Sequence, residues 1–297
     1  MSNHTTGDGR IPERQKKNSK LKRIMSVSGS YGLRNYTVKD LQNLKGKKKL
    51  VETLVFTAEE AQAAEIAGID TLKVRFDPSN PEPVLNIRRA APNTFMAYSI
   101  PLIAAASETE AVKIAYLAMK YGGDAIMCQW SPKFIAAATD AGVPIQGHAG
   151  LVPRRSTWTG GLKAVGKTLE EAYWVYEQIK LIEKAGAYAV EVEVIPEKLL
   201  KEISKRTTLL TSSIGAGSGG DIQFLFAEDI LGNNPPPYPR HSKQYKQLYK
   251  LKQKMDQERI LGFKDFIKDV KNKKFPAKKH IIECDNEMIK NFLKKIK

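Results

Sequence analysis

Between residues 50 and 227 the chain alternates short apolar runs with longer stretches whose apolar positions recur every three or four residues. The runs at 50–56, 70–76, 95–100, 125–130, 143–151, 188–195 and 208–214 have the length and composition of buried strands. Between them, 57–67, 108–121, 132–141, 169–185 and 197–205 carry helical spacing, with Thr57 placed to cap the first of these helices. A short helix over 37–44 leads into the body. Seven strands, most of them followed by a helix, predict a parallel sheet closed as a (β/α)8 TIM barrel. An open doubly wound sheet is the alternative, but no Gly-x-Gly-x-x-Gly follows the first strand. The eighth strand is not evident and is expected near Ile230 and Leu231, beyond the glycine-rich stretch that leads to 222–227.

The flanks differ from this core. Residues 1–35 are polar and basic and read as a flexible tail, residues 36–239 as the barrel, and residues 240–297 as basic helices over 242–261, 263–271 and 286–296. These helices are expected to rest on the barrel or on a neighbouring subunit. Of the net charge of +16, residues 1–49 contribute 13 Lys and Arg against 3 acids, and residues 240–297 contribute 18 against 7. The middle is left mildly acidic. Basic ends can meet phosphates, but no aromatic-interleaved or base-reading motif accompanies them, so nucleic-acid binding is the least favoured reading. No apolar run approaches a membrane span and the polar start lacks a signal-type apolar segment. Two cysteines among 297 residues are too few for a disulfide framework, which points to the cytoplasm.

In a barrel of this kind, polar side chains at the C-terminal ends of strands are the first candidates for chemistry. Those ends carry Asp77, Ser99, Gln129, His148 and Glu193, followed by a glycine loop with Gly215, Gly217 and Ser218. His148 stands in Gly147-His148-Ala149-Gly150, where flanking glycines let a ligand or another backbone come close. A buried histidine bonded to a carbonyl would fit the same position. Glu191 and Glu193 share one side of their strand, and a glutamate directed into a barrel needs solvent, a partner or a ligand. Lys73 and Arg75 alternate along their strand and could face either the helices or a ligand. The glycine loop offers backbone N–H donors to an anion. No His or Cys pair has zinc spacing, and Asp77 is the one acid in the first half of the rim available to magnesium.

These strand ends resemble ketopantoate hydroxymethyltransferase over about residues 50–240, with a fainter trace near Phe275, Pro276 and His280. The resemblance rests on Arg88-Arg89-Ala90-Ala91-Pro92-Asn93, residues 147–153, Gly160-Gly161-Leu162-Lys163, Glu193-Val194-Ile195-Pro196, Ile214-Gly215-Ala216-Gly217 and Asp221-Ile222-Gln223. It implies transfer of a one-carbon unit from methylenetetrahydrofolate to 3-methyl-2-oxobutanoate, giving 2-dehydropantoate in pantothenate biosynthesis, with magnesium polarising the carbonyl. It also implies a homo-oligomer. By the same resemblance Asp77 matches a metal aspartate, Glu193 the general base and His148 the substrate-pocket histidine. The second metal aspartate falls on Ser99, a glutamate on Gln129 and the pocket lysine on Met127. Pro78 replaces a serine, and the long loop after the aspartate is shortened to residues 79–85.

Two neutral residues in place of acids predict a weakened or lost magnesium site. The expected activity is making or breaking a carbon–carbon bond beside the carbonyl of a small 2-oxo acid. Glu193 would take the proton, Asp77, Ser99 and Gln129 would position the carbonyl, and His148 would hydrogen-bond the acid. A metal-poor lyase or aldolase, or a non-catalytic barrel that binds a metabolite or a protein, remains the alternative.

Overall fold

The computed structural model describes residues 21–296, which divide into two compact units: the chain up to Leu231 together with Pro236–Tyr245, and Gly232–Pro235 with the segment from Lys246 onward. The first unit opens with an antiparallel hairpin, β1 (Lys22–Met25) and β2 (Tyr31–Arg34). Eight parallel strands follow: β3 (Leu50–Val55), β4 (Thr71–Arg75), β5 (Phe95–Ile100), β6 (Ala125–Cys128), β7 (Ile145–Gly150), β8 (Ala189–Glu193), β9 (Leu210–Ile214) and β10 (Ile222–Phe226). They close into a barrel in the order β10-β3-β4-β5-β6-β7-β8-β9. The expected TIM barrel is therefore present.

Local chemistry explains the helices. Thr57, Ser107, Ser131 and Thr168 each accept a first-turn backbone N–H through the side-chain oxygen, which fixes the starts of Ala58–Ala67, Glu108–Lys120, Pro132–Asp140 and Leu169–Lys184. The outward residues of the strands, among them Leu72, Val74, Met96, Tyr98, Ile126, Ile145, Val190 and Val192, meet the apolar faces of these helices in one continuous core. Inside the barrel the layers differ in character. Leu50, Phe95, Ala97, Ala125, Ala189, Leu210 and Ile222 fill the N-terminal end. Leu54, Ile214 and Phe224, with Phe56 and Phe226 against them, cover part of the opposite end. Glu52, Lys73, Gln146, Glu191 and Ser212 are also buried. All five are polar or charged residues whose strand parity directs them inward.

Four features differ from the sequence expectation. The eighth strand is β10 rather than the region of Ile230 and Leu231, which lies in the short helix Ala227–Leu231. It was hidden because β9 and β10 are joined by a glycine crossover with no helix, so the strand–helix rhythm breaks there. A helix over Glu82–Ala90 occupies part of the segment read as a loop, burying Val84, Ile87 and Arg88. Residues 22–34, expected within the flexible tail, form the hairpin, and Arg34 at its end is anchored by Asp124 at 2.7 Å. The remainder of that tail, residues 1–20, lies outside the described residues. In the second unit, the break expected at Gly262 is absent. Leu248–Lys271 is one continuous helix, followed by Asn286–Lys295. No described helix is long and apolar enough to cross a membrane.

Several residues that carried the family resemblance sit at the N-terminal end of the strands, where they hold the fold. Arg88 and Arg34 converge on Asp124, which also accepts the Met96 N–H. Asp221 takes Lys45 at 2.7 Å and the Thr211 N–H at 2.9 Å. Polar networks at that end of a barrel serve stability.

Candidate active site

The chemistry concentrates where β7 meets β8. Their register sets His148 beside Glu191 and Gly150 beside Glu193. His148 is buried, and its Nε2 lies 3.1 Å from Glu193 Oε2 and 3.7 Å from Glu191 Oε1, although neither ring nitrogen has an aligned hydrogen-bond partner. Glu193 keeps 15% of its side chain exposed against 7% for Glu191, so the outer glutamate reaches solvent and the inner one does not. The backbone here is tightly drawn. Gly150 has φ +84, and a Cβ on it would fall 2.4 Å from the Glu193 carbonyl oxygen. Val194 adopts φ 49, a left-handed conformation that costs a β-branched residue energy.

Beneath this pair lies a charge cluster that the strand pattern alone did not reveal. Lys73, 1% exposed, forms ion pairs with Glu191 and with Glu52, the latter at 2.8 Å, and its ammonium stands 3.8 Å from the centre of the Phe224 ring. Glu52 also accepts from Ser212 Oγ at 2.7 Å and Thr71 Oγ1 at 3.1 Å. Burial alone would lower the Lys73 pKa, but Glu191 and then Glu52 outweigh it and the net direction is upward. Burial likewise pushes Glu191 up, and the Lys73 ammonium followed by His148 brings it below the usual carboxylate range. Both members of the pair are thus charged. The available signal was a charged residue within a strand, Glu52 beside Val51 and Lys73 between Leu72 and Val74.

A cavity of about 500 Å³ has His148 in its wall, while Glu193 is not among the residues that line it. Leu102, Val152, Arg154, Arg155, Trp158 and Trp174 also line it. The strand pattern does not point to the arginines and tryptophans, which lie in the turn Pro153–Arg155, the short helix Ser156–Thr159 and the helix Leu169–Lys184 rather than at strand ends.

The other sequence candidates are placed differently. Ser99 and Met127 are register neighbours on β5 and β6, with Gln129 just past the end of β6. Asp77 is exposed beyond β4, its Oδ1 accepting the Ser79 N–H at 2.9 Å and Ser79 Oγ at 2.6 Å, which holds its carboxyl below the usual range. None of these four lines the cavity. In the glycine loop, the Ser218 N–H and hydroxyl both donate to Glu197 Oε1, at 2.9 and 2.6 Å. A carboxylate of the chain itself thus takes the donors expected for a ligand anion.

A model of the ketopantoate hydroxymethyltransferase family matches residues 82–278. The 3-methyl-2-oxobutanoate hydroxymethyltransferases of Thermosipho melanesiensis and Thermus thermophilus are each 31% identical to this chain over 82% of its length, covering 97% and 98% of their own. The chain belongs to the ketopantoate hydroxymethyltransferase family. Among solved structures, 2,3-dimethylmalate lyase of the PEP mutase/isocitrate lyase superfamily superposes with a TM-score of 0.50 at 12% identity, over 64% of this chain and 77% of its own, a likeness of fold.

The family implies a divalent metal, and the residues at the matching positions do not fit one. Asp77 is turned to its own Ser79, while Ser99 and Gln129 bring no charge. His148, Glu191 and Glu193 do converge, each offering one atom within 4.8 Å of the others. There, however, Glu191 is already matched by the Lys73 ammonium, whose charge opposes a second cation.

Proposed function

We propose that this protein makes or breaks a carbon–carbon bond next to the carbonyl of a small 2-oxo acid, as a hydroxymethyltransferase whose base is Glu193. The observation that carries the reading is the contact of Glu193 at 3.1 Å with buried His148, a residue of the cavity wall, at the C-terminal end of the barrel. The substrate named in its relatives, 3-methyl-2-oxobutanoate, is the substrate proposed here. Glu193, partly solvated, takes the proton from the carbon next to the carbonyl. The bonding pair moves between that carbon and the carbonyl carbon, and the carbonyl oxygen gains the negative charge. His148, whose ring nitrogens have no aligned partner within the chain, hydrogen-bonds the acid beside the Glu193 carboxylate. The carbanionic carbon would then bond to a one-carbon unit at the formaldehyde level, whose bond to the donor's nitrogen breaks as water supplies the hydroxyl oxygen.

Trp158 and Trp174 are in the cavity wall, and aromatic side chains there suit a flat heteroaromatic donor. When bound, methylenetetrahydrofolate supplies the one-carbon unit. In this reading Asp77, Ser99, Gln129 and Met127 flank the site without lining the cavity itself. With two cysteines in the whole chain, a reducing compartment such as the cytoplasm belongs to this reading. Exposed apolar side chains on the helix Leu248–Lys271 support a homo-oligomer.

The test is hydrogen exchange at C3 of 3-methyl-2-oxobutanoate in D₂O, followed by proton NMR with no added metal. The protein should catalyse exchange, and Glu193→Gln should slow it by about 10²–10⁴-fold. Binding of the acid without any exchange would instead identify a non-catalytic barrel.

A further inference from the structure

The proposed substrate carries a carboxylate, and a carboxylate in a partly apolar cavity needs a cation. The strand position matched to the family's pocket lysine is Met127, which is buried and uncharged. Lys73 is fully committed to Glu52 and Glu191. Two other cations stand in the cavity wall, Arg154 and Arg155, in the turn Pro153–Arg155 directly after β7. Among the described residues neither forms an ion pair with a carboxylate. Arg155 Nη2 donates to the Gln129 carbonyl oxygen at 2.7 Å. That bond ties its guanidinium to the strand end two residues beyond Met127 and leaves other N–H groups of the fork for a ligand.

We propose that Arg155 is the carboxylate clamp of this site, the cation having moved from strand β6 to the loop after β7. A guanidinium suits this role because its parallel N–H groups match the two oxygens of a carboxylate. Anchoring by the Gln129 carbonyl reduces the freedom lost when an acid binds. Arg154 adds positive potential at the same wall, and Leu102 and Val152 give the alkyl end of a short branched acid an apolar surface. With its carboxylate on Arg155, the acid lies across a cavity whose wall includes His148. Ligand selection would thus be for small anionic acids over neutral ketones. The clamp rests on the proposed 2-oxo acid chemistry for the identity of the ligand, and binding and exchange can fail separately.

The experiment titrates the full chain and its Arg155→Ala and Arg155→Lys variants with 3-methyl-2-oxobutanoate and, in parallel, with its uncharged methyl ester. Calorimetry reads affinity, and quenching of Trp158 and Trp174 reports occupation of the cavity. The wild type should prefer the acid to the ester. Arg155→Ala should lose at least about tenfold in affinity for the acid and little for the ester, with Arg155→Lys in between. Equal affinity of the wild type for acid and ester overturns the clamp, as does an Arg155→Ala variant that keeps its affinity for the acid. Loss of both ligands together, with an unchanged melting temperature, also overturns it, since Arg155 would then act only as a brace on Gln129. If the acid binds through Arg155 but C3 exchange is absent, the clamp stands and the enzymatic reading falls.

Discussion

At the level of single residues, the site is a chain of ionisable groups running inward from the rim: Glu193, His148, Glu191, Lys73 and Glu52. The outer two do the chemistry proposed here, and the inner three fix them. A lone Lys73 in this interior would be costly, and so would either glutamate without it. Lys73→Met should therefore destabilise the protein by about 3–5 kcal/mol in urea unfolding, because two buried carboxylates lose their counter-ion. The triple variant Lys73→Met, Glu52→Gln, Glu191→Gln should recover most of that loss. If the single change proves nearly neutral, the cluster is not what holds the barrel interior. The charges at 52 and 73 were readable along the chain, but their pairing was not, since Lys73 and Glu191 are 118 residues apart.

At the level of elements, the β7–β8 pair sets the geometry. The left-handed Val194 immediately follows the proposed base. Val194→Gly should relieve that strain, leaving the protein about 1 kcal/mol more stable after glycine's own entropic cost, while slowing C3 exchange by loosening Glu193. A lower melting temperature would show that Val194 packing outweighs its strain. A different element ties down the start of β9: Glu183 accepts the Thr208 N–H and hydroxyl and pairs with Lys180. Burial opposes its ionisation, yet Lys180 and Thr208 prevail and lower its pKa from 4.5 to about 2. The folded state thus binds this proton less readily than the unfolded chain. The resulting stability is complete above pH 4.5 and is lost as pH falls toward 2. Glu183→Gln should flatten this acid limb of the pH–stability curve, and an unchanged limb would reject the assignment. Such elements were largely legible, because capping residues and periodicity act within a few positions. The helix Glu82–Ala90 and strand β10 were not, since the helix start at Pro81 has no side-chain cap and a helix-free crossover precedes β10.

For the whole molecule, the helix Leu248–Lys271 presents Leu251, Met255, Phe263, Phe266, Ile267 and Val270 to solvent. Apolar surface on that scale is normally covered. In light scattering after size exclusion, the protein should elute at a multiple of 33.1 kDa, and Phe263→Lys with Ile267→Lys should reduce it toward that value. A monomeric wild type would sink the expected homo-oligomer.

The chain's own alternation of apolar runs and amphipathic stretches determined the barrel, most helix boundaries and the presence of His148 and Glu193 at strand ends. These features depend on neighbours a few residues away, so sequence order encodes them directly. Only closure of the barrel decided that Glu52, Lys73 and Glu191 meet, that Glu197 takes the donors of Ser218, and that Arg155 reaches the end of β6. Charge pairing and hydrogen bonding act through space, and which groups meet is fixed only when distant strands are brought side by side.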